Sequence, residues 1–101
     1  MKVRGKRLQE EFECGHKNFD LIEFWKTAET LPNVVLNGQT FSESFFLHFR
    51  FNNDGSLKKT CSQIAKELGL TYNQAHYQCE RALRHMRHPY RSKNYLKDKI
   101  T

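Results

Sequence analysis

Tyr72, Asn73, Gln74, His76 and Tyr77 stand within one short stretch, and every one of these side chains can hydrogen-bond or stack on a flat partner. Asn and Gln can bond the edge of an adenine twice, while Tyr can bond a phosphate or pack against a thymine methyl. Just downstream, "RALRHMRHPYRS" (residues 81–92) sets Arg81, Arg84, Arg87 and Arg91 beside His88. Guanidinium groups grip phosphate oxygens in a forked, charge-assisted geometry. The chemistry these types and spacings offer is nucleic-acid recognition. Tyr72, Asn73, Gln74, His76 and Tyr77 are the candidate base readers, and Thr71, Arg81, Arg84, Arg87, His88 and Arg91 the candidate phosphate contacts.

Covalent and metal chemistry have weaker grounds. Five His and several Glu are present, but no nucleophile, base and orienting group stand at a recognisable spacing, so no enzymatic activity is expected. Cys14-Gly-His16 could be half of a zinc site, yet the chain offers no matching second pair, so neither a metal nor another cofactor is expected. Cys14, Cys61 and Cys79 are odd in number and widely spaced, which argues against a disulfide framework and for a reducing compartment. No apolar run approaches the roughly 18 residues of a membrane span, and no cleavable signal precedes the first apolar segment. The expectation is a cytoplasmic, nucleoid-associated protein with no membrane partner.

The 101 residues and 38% hydrophobic content suit one modest core rather than a deep catalytic cleft. The net charge of +6 favours a polyanionic partner. That charge is uneven: after residue 80, Arg81, Arg84, Arg87, Arg91, Lys93, Lys97 and Lys99 face the single acid Asp98. The basic residues of "MKVRGKRLQEE" (1–11) suggest a mobile arm, or one that touches phosphate.

The elements that must position these side chains follow from periodicity. Leu21, Phe24, Trp25 and Ala28 mark an amphipathic helix near 19–30, ending before Pro32. Phe41, Phe45 and Phe49 repeat every four residues, flanked by Phe46, and predict a helix over 40–50 capped by Thr40 or Ser42 with Glu43 in its first turn. "NNDGS" is a turn. Thr60 with Gln63 is a capping box for a helix over 60–68 that Gly69 ends. Thr71 caps a longer helix over 72–87, with Ala75, Cys79, Ala82, Leu83 and Met86 inward and Pro89 beyond its end. A short helix, a turn with Gly and a longer helix with a basic outer face is the helix-turn-helix pattern. The expected fold is all-α with negligible strand, its core enclosing Trp25, Phe45, Ile64, Leu68, Leu83 and Met86. The expected organisation is an N-terminal arm and helix (1–35), a helix-turn-helix domain (36–95) and a basic tail (96–101).

"SQIAKELGLT" followed by "RALRHMRHPYRS" resembles region 4 of the sigma-70 family of RNA polymerase sigma factors, the domain that binds the minus-35 promoter element. Arg87-His88-Pro89 with Arg91-Ser92 is the most specific part, and "FFLHFRF" resembles the opening helix of that domain, so the similarity spans about residues 36–95. The resemblance implies a domain whose last helix reads double-stranded promoter DNA and whose other surface holds the flap tip of the polymerase β subunit. Phe41, Phe45, Phe46 and Phe49 are the candidate polymerase contacts. Arg84, Arg87, His88, Pro89 and Arg91 match the family pattern as written. At the base-reading positions the family's usual charged side chains are replaced by Tyr72, Asn73, Gln74, His76 and Tyr77, which implies a different DNA preference.

Nothing in the first 35 residues resembles the sigma regions that open the duplex. The expectation is therefore a small stand-alone regulator, of the kind a phage or mobile element encodes, that does not initiate transcription alone. A second sigma-like polypeptide is a further candidate partner. The competing expectation is a protein-interaction module that binds polymerase or a sigma factor through its Phe-rich helix, with little specific DNA binding.

Overall fold

The computed structural model describes Leu8 and residues 19–96. The basic arm apart from Leu8, the Cys14-Gly-His16 cluster and the tail from residue 97 onward lie outside the described residues. Helix α1 (Leu21–Ala28) starts where Asp20 Oδ1 accepts from the Glu23 amide at 3.0 Å, and it buries Phe24, Thr27 and Ala28 on one face. Helix α2 (Glu43–Arg50) is capped by Ser42, whose Oγ accepts from the Phe45 amide at 3.2 Å. Helices α3 (Cys61–Leu68), α4 (Tyr72–Arg87) and the single turn α5 (Pro89–Ser92) follow along the chain.

Between α1 and α2 the all-α expectation fails. Strands β1 (Asn33–Leu36) and β2 (Gln39–Ser42) pair antiparallel, Val34 opposite Phe41 and Leu36 opposite Gln39, so the fold is mixed α/β though mostly helical. The cause is local. Asn37 and Gly38 both take positive φ, 51° and 80°, the backbone of a two-residue hairpin turn that Asn-Gly favours. β-Branched Val34, Val35 and Thr40 flank it, and Val34 and Leu36 turn inward while Val35 is exposed. Phe41 therefore sits on a strand, and the helix expected from residue 40 begins at Glu43.

The core has two parts joined by α4. Ala75 and Cys79 of its first half pack with Phe46, Cys61, Ile64 and Ala65, and the inward residues of the hairpin lie against them. Ala82, Leu83 and Met86 of its second half pack with Leu8, Phe24, Ala28, Leu31, Leu47, Phe51 and Tyr95. Ile64, Leu83 and Met86 are buried as expected, whereas Trp25, Phe45 and Leu68 are only partly buried and Phe46 takes the interior place assigned to Phe45. The Trp25 indole keeps its polar edge satisfied by donating to the Asn53 carbonyl at 3.0 Å, with its face stacked on His48.

Tyr95 closes the C-terminal end of α4. It is fully buried, and its hydroxyl donates to the Met86 carbonyl, one of the last-turn acceptors that lack a partner within the helix. Burial pushes the hydroxyl's titration upward. Tyr95→Phe keeps the ring and strands that carbonyl, so a loss of about 1–2 kcal/mol is expected in urea unfolding. An unchanged midpoint would show that the hydroxyl contributes nothing there.

Candidate nucleic-acid interface

Hydrogen-bonded caps fix the start of α3, the short turn that follows it and the start of α4. Thr60 Oγ1 accepts from the Gln63 amide at 3.1 Å while Gln63 Oε1 accepts from the Thr60 amide at 2.8 Å. Gly69, in left-handed geometry at φ 70°, ends α3, and the Leu70 amide bonds back to Ala65. A second capping box opens α4: Thr71 Oγ1 accepts from the Gln74 amide at 3.1 Å, and Gln74 Oε1 accepts from the Thr71 amide at 3.0 Å. Gln74 Nε2 also reaches Asn37 Oδ1 at the hairpin tip, 3.4 Å away. Thr71 and Gln74, expected to touch DNA through their side chains, thus use them to fix where α4 begins.

The remaining expected residues separate into engaged and free. Asn73, Tyr77 and Arg84 are exposed on α4, and their side chains make no hydrogen bond, ion pair or ring contact among the described residues. Tyr72 and His76, both exposed, stack on each other with ring centroids 5.6 Å apart and planes 10° from parallel. Arg87 is exposed on the last turn. Together these form one stripe, polar and aromatic at the start of α4 and basic at its end.

Three expected phosphate contacts have structural work instead. Arg81 Nε lies 3.4 Å from Glu43 Oε2, and Glu43 is fully buried. His85 Nδ1 stands 2.7 Å from Glu43 Oε1; a carboxylate offers only acceptors, so the ring nitrogen donates. Arg91 clasps the turn after α1, its Nε donating to Thr30 Oγ1 at 3.0 Å and its other arm to the Thr30 carbonyl at 3.3 Å. His88 caps α5, its Nδ1 accepting from the Tyr90 amide at 3.2 Å.

Phe41, Phe45 and Phe49 gather into a partly buried aromatic ridge, with Phe45 and Phe49 centroids 4.4 Å apart and the Lys59 ammonium 4.4 Å above Phe49. Phe46 is buried beneath it, and none of the four is fully exposed.

The sequence puts Cys79 on the inward face of α4 and gives Cys61 no role beyond the count that argues against a disulfide framework. Cys61 Sγ lies 3.8 Å from His76 Nδ1 and both thiols are free. The Cys79 thiol, hydrogen-bonding toward Cys61, holds Cys61 down to about 5 against the upward push of burial, with His76 and the Arg50 charge helping. The same interaction, with burial, drives Cys79 upward.

Among the described residues, no helix is long and apolar enough to cross a membrane, and no group of three or more His, Cys, Asp or Glu side chains is placed to hold a metal ion. Comparison with known protein families, curated proteins and solved structures finds no match for this chain.

Proposed function

We propose that this chain is a DNA-binding transcription regulator of the sigma region 4 type, placing the start of α4 in the major groove of promoter DNA. The observation that carries this reading is the exposed stripe on α4: Asn73 and Tyr77, whose side chains have no bonded partner among the described residues, followed along the same helix by exposed Arg84 and Arg87. Two capping boxes and the left-handed Gly69 set the angle and register of α4 against α3, which rigid base readout requires. Arg81, His88 and Arg91 enter this reading as residues that hold α4 and α5 in place, and Arg84 and Arg87 as the phosphate contacts. The polymerase β-flap is the proposed protein partner, met by the ridge of Phe41, Phe45 and Phe49. Such a regulator acts in the cytoplasm, at the nucleoid.

Salt titration tests it. Each phosphate contact releases counterions, so the logarithm of the binding constant for a selected duplex is expected to fall linearly with log salt, by about 0.9 per phosphate neutralised. The selected duplex is expected to bind more tightly than a scrambled one at every salt concentration. The partly exposed aromatic ridge favours a second reading, a module that docks on polymerase or a sigma factor with little specific DNA binding. That reading expects salt-insensitive binding to a β-flap fragment and no preference between duplexes. A duplex affinity that ignores both sequence and salt removes the DNA half of the proposal.

A further inference from the structure

We propose that Cys61 and Cys79 form a reactive thiol pair that a hydroperoxide converts to a disulfide, Cys61 being the attacking sulfur and Cys79 the resolving one. The inference stands apart from the DNA-binding reading. Cys61 is the first residue of α3, where unpaired backbone amides favour a thiolate, and Cys79 projects from α4 into the same buried cluster. His76 and Cys79 are three residues apart on α4 and share a face. His76 Nδ1 reaches Cys61 Sγ at 3.8 Å, and Cys79, one turn further along α4, belongs to the same buried cluster as Cys61 and is its side-chain hydrogen-bond neighbour. Cys61 keeps 7% of its surface exposed while Cys79 keeps 2%, which gives a small oxidant access to Cys61 first. The electrostatics set the order: Cys61 is held low and Cys79 high, so Cys61 carries the thiolate that meets the oxidant first.

The chemistry balances without a metal. The Cys61 thiolate attacks the outer oxygen of a hydroperoxide; the S–O bond forms, the O–O bond breaks, and the alkoxide or hydroxide leaves and takes up a proton. The product is a sulfenic acid on Cys61. The Cys79 sulfur then attacks the Cys61 sulfur, the S–S bond forms, and the hydroxyl leaves with the Cys79 proton as water. Two thiols lose two electrons in all, and these reduce the peroxide oxygen–oxygen bond.

The test uses the reduced full chain, treated with hydrogen peroxide, blocked with iodoacetamide and digested with trypsin. Cleavage after Lys59, Lys66 and Arg81 places Cys61 in residues 60–66 and Cys79 in residues 67–81, while Cys14 falls in residues 8–17. The expected product is 60–66 joined to 67–81, with loss of two hydrogens and of alkylation at both cysteines. In Cys79→Ser the expected product is a sulfenic acid on Cys61, trapped by dimedone, and in Cys61→Ser residue 79 is expected to stay reduced. Alkylation of Cys61 should persist down to about pH 5, since a depressed thiol is already ionised above that value. Cross-links formed chiefly through Cys14, or full alkylation of both peptides after peroxide, overturn the proposal. The wild-type cross-link map decides it even where a serine variant fails to fold.

Discussion

Replacing His85 with Ala is expected to destabilise the fold by about 2–4 kcal/mol, and adding Glu43→Gln to that variant is expected to return part of the loss. Glu43 is fully buried in the first turn of α2, where the helix dipole favours its charge. Its Oε1 is held by His85, while Oε2 has Arg81 Nε at 3.4 Å but no hydrogen bond. Without His85 the carboxylate keeps one loose partner and two unsatisfied oxygens. Breaking a buried pair commonly costs about 3–5 kcal/mol, but the His85 and Arg81 side chains are 32% and 38% exposed, so solvent screening lowers the figure here. Gln at 43 removes the uncompensated charge, which gives the double variant its sign. Urea unfolding of wild type, both single variants and the double variant measures all four corners. A double variant no more stable than His85→Ala would locate the loss in packing rather than in the buried charge.

This network bears on how much the sequence disclosed. Helix ends were legible because their signals are local: Thr60 with Gln63, Thr71, Ser42, Gly69 and Pro89 act within four residues of the bonds they make. The hairpin was equally local, but the spacing of Phe41, Phe45 and Phe49 imitates a helical repeat across a strand–helix boundary. The Asn37-Gly38 pair, which fixes the turn, was the signal that outweighed it. Glu43 was read as a dipole partner, and nothing near it reveals its depth, because His85 stands 42 residues away. The same long separation hid Arg91, tied to Thr30 across 61 residues. A basic run in sequence cannot distinguish arginines that face solvent from those that hold helices together; only packing separates Arg84 from Arg81 and Arg91.

That separation sets the expected outcome for binding. Asn73 lies in the first turn of α4 and Arg84 eleven residues later, about 16 Å along the axis at 1.5 Å per residue. A helix entering a groove cannot hold both against base edges, so Asn73 is the reader and Arg84 the backbone contact. Asn73→Ala is expected to lose about 1–3 kcal/mol of discrimination between a selected and a scrambled duplex, with little change on the scrambled one. Arg84→Ala is expected to weaken both duplexes alike and to reduce the salt slope by about one. Arg81→Ala is expected to keep the slope and lose stability instead, since its guanidinium pairs with buried Glu43 rather than facing DNA. Titration of both duplexes at several salt concentrations, at a temperature where circular dichroism shows each variant folded, separates the three. Equal losses on both duplexes for Asn73→Ala and Arg84→Ala would mean that α4 holds DNA by charge alone. Affinities unchanged in both would move the function to the aromatic ridge, where Phe45→Ala should then abolish binding to the β-flap fragment.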